Sequence, residues 1–165
     1  MAKQIEYKSI ELKEATTTRQ ADGRLKVVAY AAIFGNIDSY NDIIVKGAFA
    51  NSLKNEGKRV AVCWQHDMRK PIGKLTLIEE DNNGLKVEFL ISKSEEDVAV
   101  KVEEGIISEM SIGYSTVAFD YNNKDEVRTI KEARLYEVSL VTRGANEEAK
   151  IKEDDVNAQA GSLAQ

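Results

Sequence analysis

The stretch that decides the fold is IGYSTVAFDYNNKDEVRTIKEARLYEVSLV, residues 112–141. Both of its halves are rich in β-branched and aromatic residues, which favour extended strands. The polar turn NNKD at residues 122–125 separates the halves, and polar clusters of this kind mark strand ends. The pattern predicts two strands, one over residues 112–121 and the other over residues 128–141.

Further strands are predicted on the N-terminal side of this stretch. Residues 3–13 alternate loosely, as an edge strand does, and residues 25–34 form an apolar run typical of a buried strand. Residues 60–66 are another candidate strand. Residues 73–80 and 85–92 flank the turn DNNG, which indicates a β-hairpin.

Two segments have helical periodicity. Apolar residues recur every four positions over residues 46–55, and a second helix is predicted to begin at a capping box formed by Ser94 and Asp97. The result is an α+β, mostly β protein with an antiparallel core of about six or seven strands and a few helices. Residues 1–145 are predicted to form one domain, and residues 146–165 a polar, weakly ordered tail.

The composition excludes several functional classes. The chain has 165 residues and a net charge of −5, which argues against nonspecific nucleic-acid binding because that needs clustered Lys and Arg. One Cys and one His exclude an internal disulfide and a thiolate zinc site. No metal or other cofactor is expected. No apolar run approaches the roughly 20 residues of a membrane span, and the N-terminus lacks a signal-peptide pattern.

Any imidazole chemistry in this chain depends on His66, the only histidine. A lone His is most often structural, while the functional interpretation is a general base. Cys63 lies three residues earlier, and on a strand this odd spacing directs the two side chains to opposite faces, which disfavours a Cys–His dyad. Trp64 shares a face with His66, where it either walls one side of the imidazole or packs in the core.

Ser111 and Glu137 are the other candidates for chemistry. Ser111 lies in the segment SEMSIGY, where the chain leaves a predicted helix and enters a strand. A Ser there can present its hydroxyl at a sheet edge, and Gly113 would allow close backbone approach. Taken alone this is a weak signal, because serines near helix ends usually cap or contact solvent. Glu137 lies in the otherwise apolar LYEVSLV, so its carboxylate either faces solvent or finds a partner such as an imidazole.

Four motifs occur in order along the chain: AYAAIFGNIDSY (29–40) with DII (42–44) and GAF (47–49), WQHD (64–67) with PIG (71–73), MSIGY (110–114), and EVSLVT (137–142) with AN (145–146) and Ala149. Together they resemble the motifs of the prohead (capsid maturation) proteases of tailed DNA bacteriophages. Four ordered motifs are much more specific than any one of them. One departure is Gly144, where many relatives have proline.

The resemblance implies a fold and a chemistry. The family is related in fold to the herpesvirus assemblin proteases, so the expected fold is a herpesvirus-protease-like antiparallel β-barrel surrounded by helices. The implied activity is that of a serine endopeptidase with a Ser–His–acid set. Ser111 matches the nucleophile, His66 the general base and Glu137 the acidic member. Arg143 lies where herpesvirus relatives place an arginine that helps bind the oxyanion; the alternative is a solvated cation at a strand end.

The resemblance also implies partners and a place of action. The expected substrates are the scaffolding segment of the major capsid protein, any separate scaffold protein and the protease itself. The expected location is the assembling prohead in the host cytoplasm. The polar tail is a candidate for self-cleavage, because proteases cut exposed, weakly ordered chain. Herpesvirus relatives work as dimers, so a homodimer is a further expectation, with no nucleic acid and no membrane among the partners.

Two other functional classes stay open. One is a non-catalytic capsid-assembly or scaffolding module that kept the fold, in which the three matched residues are ordinary side chains. The other is a thiol hydrolase that uses Cys63, which strand parity disfavours. If Ser111 were not the nucleophile, Ser108 and Ser139 would be the next candidates.

Overall fold

A nine-stranded sheet and two short helices make up residues 4–144, the part of the chain that the computed structural model describes. The predicted tail, residues 146–165, lies outside the described residues. The strands are β1 (Glu6–Glu11), β2 (Thr16–Arg19), β3 (Leu25–Ile33), β4 (Asp42–Ile44), β5 (Ala61–Trp64), β6 (Asp67–Glu80), β7 (Gly84–Ile91), β8 (Glu109–Asn122) and β9 (Val127–Val141). The helices are α1 (Ala50–Glu56) and α2 (Glu96–Glu103). Neither helix of this described part is long and apolar enough to cross a membrane.

The β8–β9 hairpin is the centre of the sheet. The two strands predicted from residues 112–141 both form, and they pair antiparallel along nearly their whole length. The other edge of β9 pairs in parallel with two short strands, with β4 at residues 128–130 and with β5 at residues 137–140. The C-terminal half of β9 therefore lies between β8 and β5, and this position brings three distant segments of the chain together.

Helix α1 and the turn that precedes it fill the gap that β4 and β5 leave along β9. The backbone N–H of Ala133 donates to the carbonyl of Ala48, and the N–H of Leu135 donates to Ser52 Oγ, each at 2.9 Å. Buried backbone donors need such partners, because an unpaired N–H loses its hydration without compensation. The helix predicted over residues 46–55 is confirmed, and its first turn begins later, at Ala50.

The strand order is β1-β8-β9-β5-β6-β7-β3-β2, with β4 beside β9 and off this path. The mostly β, mainly antiparallel architecture is confirmed, and the sheet curls into a half-barrel. It has nine strands rather than about six or seven. The two unpredicted strands are β2 and β4, with four and three residues. Segments this short become strands only by pairing with a longer neighbour, and no local pattern announces that pairing.

The hydrophobic core is built from alternate residues of the sheet. Leu25 and Val27 of β3 are at most 1% exposed and lie opposite Ile91 and Phe89 of β7. Each such side chain contributes about 1.5–3 kcal/mol through burial. Successive side chains of a strand point to opposite faces. On β8 and β9, one face therefore carries core residues, and the opposite face is available to small and polar side chains.

A partly buried ionic network, with Lys8 and Asp42 at its buried centre, joins β1, β4 and β9. Lys8 Nζ lies 2.6 Å from Asp42 Oδ2 and 2.7 Å from Asp38 Oδ2. Arg128 donates to both carboxylate oxygens of Asp42, at 3.0 and 2.8 Å, and to Glu6 at 2.7 Å. Burial opposes ionisation of Asp42, but the hydrogen bonds from Arg128 and Lys8 outweigh it and lower the pKa of this carboxyl below its ordinary value.

The predicted capping box of α2 is wrong. Helix α2 begins at Glu96, and its N-cap Glu95 makes no side-chain cap hydrogen bond. Ser94 is not the cap because its own backbone N–H donates to Ser92 Oγ, at the start of a short 3₁₀ turn that precedes the helix. The local Ser–x–x–Asp pattern suited a cap, but the turn that connects β7 to α2 uses the earlier serine.

Candidate active site

One face of β8 and β9 carries a row of small and polar residues. Ser111 lies opposite Ser139, and Gly113 lies opposite Glu137. Residues directly opposite each other on paired strands share a face, so these four residues are neighbours. The intervening residues, such as the fully buried Ile112, point to the hydrophobic core. The register of one hairpin therefore places a serine hydroxyl close to a carboxylate.

His66 reaches this row from a strained turn at the end of β5. The strand ends at Trp64, and Gln65 and His66 both adopt left-handed backbone conformations, with φ of 54° and 63°. Such conformations are unfavourable for residues other than glycine. Two hydrogen bonds to β9 stabilise them: Gln65 N–H donates to the Leu140 carbonyl at 3.0 Å, and His66 N–H donates to Ser139 Oγ at 3.1 Å.

This turn corrects the strand that was predicted over residues 60–66. Because the strand stops at Trp64, strand alternation does not set the direction of the His66 side chain. The expectation that Trp64 and His66 share a strand face is therefore wrong.

Hydrogen bonds join Ser111, His66 and Glu137 into one chain. His66 Nε2 lies 2.8 Å from Ser111 Oγ, and His66 Nδ1 lies 2.5 Å from Glu137 Oε1. The other carboxylate oxygen, Glu137 Oε2, accepts a short hydrogen bond from the Ser139 hydroxyl. A carboxylate only accepts hydrogen bonds, so Nδ1 carries the imidazole proton and Nε2 is left to accept the Ser111 hydroxyl.

Glu137 is buried, and Gly113 leaves the space that it occupies. The residue is only 3% exposed, so the solvent-facing alternative for its carboxylate is wrong. A Cβ atom on Gly113 would overlap Glu137 Oε1 and lie 3.2 Å from its Cδ. Gly113 was expected to allow close approach of another group, and that group is the Glu137 carboxylate, which lies over β8 at this glycine.

Tyr7 provides the aromatic contact to the imidazole. Its ring centroid lies 4.2 Å from that of His66, with the planes tilted by 47°, a geometry that favours attraction between the two rings. Tyr7 reaches this place because β1 pairs with β8 and sets Tyr7 opposite Gly113. Trp64 is half-buried and packs against the hydrophobic core, which is the second of the two interpretations offered for it.

Cys63 and Ser108 do not take part in this hydrogen-bonded chain. Cys63 is fully buried, and burial, with the negative charges of Glu137 and Asp67, raises the pKa of its thiol to about 11. A thiol with so high a pKa is almost entirely protonated at neutral pH and is a poor nucleophile. Ser108 is exposed and precedes β8. The Cys63 alternative is thus disfavoured on chemical grounds that do not depend on strand parity.

Ser111 lies inside the sheet and not at its edge. It is fully buried, and β1 places Ser9 opposite it on the side away from β9. The expectation that its hydroxyl is presented at a sheet edge is wrong, because the N-terminal strand β1 pairs along β8 and becomes the edge. Access to the Ser111 hydroxyl therefore requires a local displacement of the residues around it.

Arg143 and Gly144 lie directly after β9. Arg143 is exposed in the bend that follows the strand. Gly144 is buried, and its backbone N–H donates to Glu109 Oε1 at 3.2 Å. A proline at this position could not donate that hydrogen bond, so the departure from the family pattern has a local structural use here.

Two contributors to the site were not predicted in these roles. Ser139 was considered only as a reserve nucleophile, although its position two residues after Glu137 on a predicted strand places both side chains on one face. That spacing was the available signal. Nothing in the local sequence pointed to Tyr7, because its contact depends on the pairing of β1 with β8. Within residues 4–144, no cluster of three or more His, Cys, Asp or Glu residues suits a metal ion.

A hydroxyl, an imidazole and a carboxylate joined in this order form the constellation found in serine hydrolases, which occurs on unrelated folds in different chain orders. The sequence matches the model of the caudovirus prohead serine proteases over residues 8–162. The chain belongs to this family, and the resemblance seen in the four motifs is confirmed.

Individual relatives agree with this assignment. The prohead protease of Enterobacteria phage HK97 is 33% identical over 150 residues, covering 87% of this chain and 67% of that protein. The prohead protease of Escherichia phage T5 is 28% identical over 131 residues, covering 78% of this chain and 62% of that protein. The chain thus spans about two thirds of the length of these relatives.

A solved structure shares the fold. The capsid assembly protease gp21 of bacteriophage T4 superposes with a TM-score of 0.67 at 10% identity, over 84% of this chain and 96% of that one. At this low identity the likeness concerns the fold alone.

Proposed function

We propose that this chain is a serine endopeptidase in which Ser111 is the nucleophile, His66 the general base and Glu137 the acidic partner. The observation that carries the proposal is the chain of contacts from Ser111 Oγ through both imidazole nitrogens to the Glu137 carboxylate, at 2.8 and 2.5 Å. These distances lie within the reach that proton transfer between a nucleophile and a base requires. Membership of a family named for serine proteases supports the same assignment.

The proposed reaction is acyl transfer in two steps. His66 Nε2 removes the Ser111 proton while Oγ bonds to the carbonyl carbon of the scissile peptide, and the carbonyl electron pair moves onto oxygen. The tetrahedral intermediate then expels the amine, which takes the proton from the imidazolium and leaves an ester on Ser111. Water repeats the sequence: His66 removes its proton, the hydroxide adds to the ester, and the returned proton regenerates the Ser111 hydroxyl.

Glu137 acts in this scheme through the imidazole. Its acceptor contact keeps the proton on Nδ1, so that the Nε2 lone pair faces Ser111 in every cycle. Its negative charge also stabilises the imidazolium that forms in each step, more strongly in a buried site than in water.

Arg143 is proposed to help stabilise the oxyanion. The cation lies in the exposed bend after β9, on the chain segment that continues from the strand carrying Glu137. Removing one oxyanion donor commonly costs about 100-fold or more in rate. The variant Arg143→Gln should therefore slow cleavage by that order while leaving the fold intact, and an unchanged rate would remove Arg143 from the mechanism.

The proposed substrates are the scaffolding segment of the capsid protein, any separate scaffold protein and the protease itself, within the assembling prohead in the host cytoplasm. The relatives named prohead protease support this choice. A homodimer is part of the proposal and is tested by sedimentation of the purified chain. Because Ser111 is fully buried, a peptide would reach Oγ only after the surrounding segments move apart.

Co-expression with the cognate major capsid protein tests the proposed function. We expect shortened capsid protein with the wild-type chain and full-length capsid protein with either Ser111→Ala or His66→Ala. Cys63→Ser is the matched control, because Cys63 is buried nearby but lies outside the hydrogen-bonded chain, and it should process normally. Capsid protein that stays full-length with the wild-type chain would favour the non-catalytic assembly module, and processing by Ser111→Ala would refute the nucleophile.

Self-cleavage is tested separately by intact-mass spectrometry. The wild-type chain should lose part of the segment after residue 145 under assembly conditions, while Ser111→Ala should keep its full mass. Equal masses for both chains would exclude self-cleavage in that segment.

A further inference from the structure

Ser139 occupies a position that the catalytic scheme above does not use. It lies on β9 two residues after Glu137, opposite Ser111 of β8 on one side and Cys63 of β5 on the other, and it is fully buried. Its hydroxyl is not bonded to the imidazole ring, so it is not a second nucleophile in this geometry. A buried hydroxyl beside a catalytic chain is either a packing residue or a part of the machinery.

The Ser139 hydroxyl both accepts and donates a hydrogen bond within the site. Its oxygen accepts the backbone N–H of His66 at 3.1 Å, and its hydrogen is donated to Glu137 Oε2. A serine hydroxyl has one donor and two acceptor positions. Its single hydrogen is therefore committed to the carboxylate, on the oxygen that His66 does not contact.

These two bonds hold the two partners of the imidazole bond in place. The contact to Glu137 restrains rotation of the carboxylate, which would otherwise turn freely about its terminal torsion. The contact to His66 restrains a residue whose left-handed φ of 63° is unfavourable without support. One hydroxyl thus holds both the donor residue and the acceptor group of the Nδ1–carboxylate bond.

We infer that Ser139 is a positioning residue that sets the geometry of the His66–Glu137 pair. The catalytic part of this inference rests on the proposed function, whereas its structural part does not. Without the hydroxyl, Glu137 Oε2 and the His66 N–H both lose a buried partner, and the carboxylate becomes free to leave Nδ1. In metal sites, removing a residue that orients a ligating His or carboxylate typically costs about 10- to 100-fold in activity, and we expect a loss of the same order for the His66–Glu137 pair.

The single histidine makes a direct spectroscopic test available. In protein labelled with ¹⁵N-histidine, one Nδ1–H proton resonance reports the bond to Glu137, and hydrogen bonding to a carboxylate moves it far downfield. We expect this resonance in the wild-type chain and its loss in Ser139→Ala. Ser52→Ala is the matched control, because Ser52 is also a buried serine whose oxygen accepts a β9 N–H, at 2.9 Å from Leu135, and it makes none of the hydrogen bonds that join Ser139, His66 and Glu137.

Two further variants separate the hydroxyl from the volume of the side chain. Threonine and valine have the same shape, and only threonine carries a hydroxyl. Ser139→Thr should keep the downfield resonance and Ser139→Val should lose it, so the comparison stands even if Ser139→Ala does not fold. The same variants are then compared for single-turnover cleavage of the purified cognate capsid protein, where Ser139→Val should be about 10- to 100-fold slower than Ser139→Thr.

The outcomes distinguish the two proposals. Identical resonances in the Thr and Val variants, or parallel loss of the resonance in Ser139→Ala and Ser52→Ala, would overturn the positioning role. A wild-type chain that shows the resonance but cleaves no capsid protein would instead count against the proposed function, and the resonance comparison would still decide the role of Ser139.

Discussion

Replacing Gly113 by alanine should displace the Glu137 carboxylate from the imidazole of His66. The added Cβ would overlap Glu137 Oε1 and lie 3.2 Å from Cδ and 3.4 Å from Cγ. Because Gly113 is held in register between β1 and β9, the side chain and not the backbone has to yield. Restoring an ordinary contact moves the carboxylate by about 1 Å, and a misplacement of that size costs on the order of 100-fold in rate.

Two measurements check this prediction. Single-turnover cleavage of the cognate capsid protein, followed by gel densitometry, measures the loss of rate. The Nδ1–H resonance of ¹⁵N-labelled His66 measures the loss of the carboxylate contact without any substrate. The control is Gly57→Ala, because a Cβ there meets only Leu53 and at an ordinary distance of 3.8 Å. A Gly113→Ala chain with wild-type rate and wild-type resonance would refute the argument that Glu137 needs the open space above this glycine.

Three further predictions follow from other parts of the structure. The thiol of Cys63, with a pKa of about 11, should react slowly with iodoacetamide at pH 8 in the folded chain and faster as the pH approaches 11; rapid modification at pH 8 would contradict its burial. Asp42→Asn should lower the free energy of unfolding by about 1.5–3 kcal/mol at pH 7, because Lys8 and Arg128 lose their shared carboxylate although Lys8 keeps Asp38 and Arg128 keeps Glu6. The pKa of Asp42 is lowered in the folded state, so its contribution to the free energy of unfolding is present above the unfolded-state pKa of about 4 and is lost as the pH falls through the folded-state pKa. The free energies of unfolding of the wild-type and Asp42→Asn chains, measured in urea, should therefore converge towards pH 3. A difference that stays constant with pH would be evidence against this ion pair. Tyr7→Phe should keep the ring against His66 and nearly the full cleavage rate, whereas Tyr7→Ala should slow cleavage by removing that wall; equal rates for the two variants would exclude the contact from the mechanism.

Much of the fold could be predicted because its strands are locally encoded. The seven segments predicted as strands all contain one, since stretches of β-branched and aromatic residues favour extended structure wherever they pack. The misses were short or conditional elements. β2 and β4 exist only through pairing with β3 and β9. Ser94 does not cap α2, because it lies in a 3₁₀ turn that is capped by Ser92 and precedes the helix.

The candidate site was predictable in its residue types and not in its geometry. Family motifs pointed to Ser111, His66 and Glu137, and the strand alternation around Glu137 offered Ser139 as a same-face neighbour. Tyr7 had no local signal. The expectation that Trp64 shares a strand face with His66 was wrong, because it assigned His66 to a strand that ends before it.

By itself, the sequence determined the seven longer strands, the family and the inventory of chemistry: one imidazole, one thiol, and a few serines and carboxylates within apolar strands. Only the tertiary structure decided that Ser111 and Glu137 meet one imidazole from 45 and 71 residues away in the chain. It also decided that Gly113 makes room for the carboxylate and that Ser139 holds it. The physical reason is that cross-strand register and the left-handed turn at His66 depend on hydrogen bonds between distant strands, which no local stretch of sequence contains.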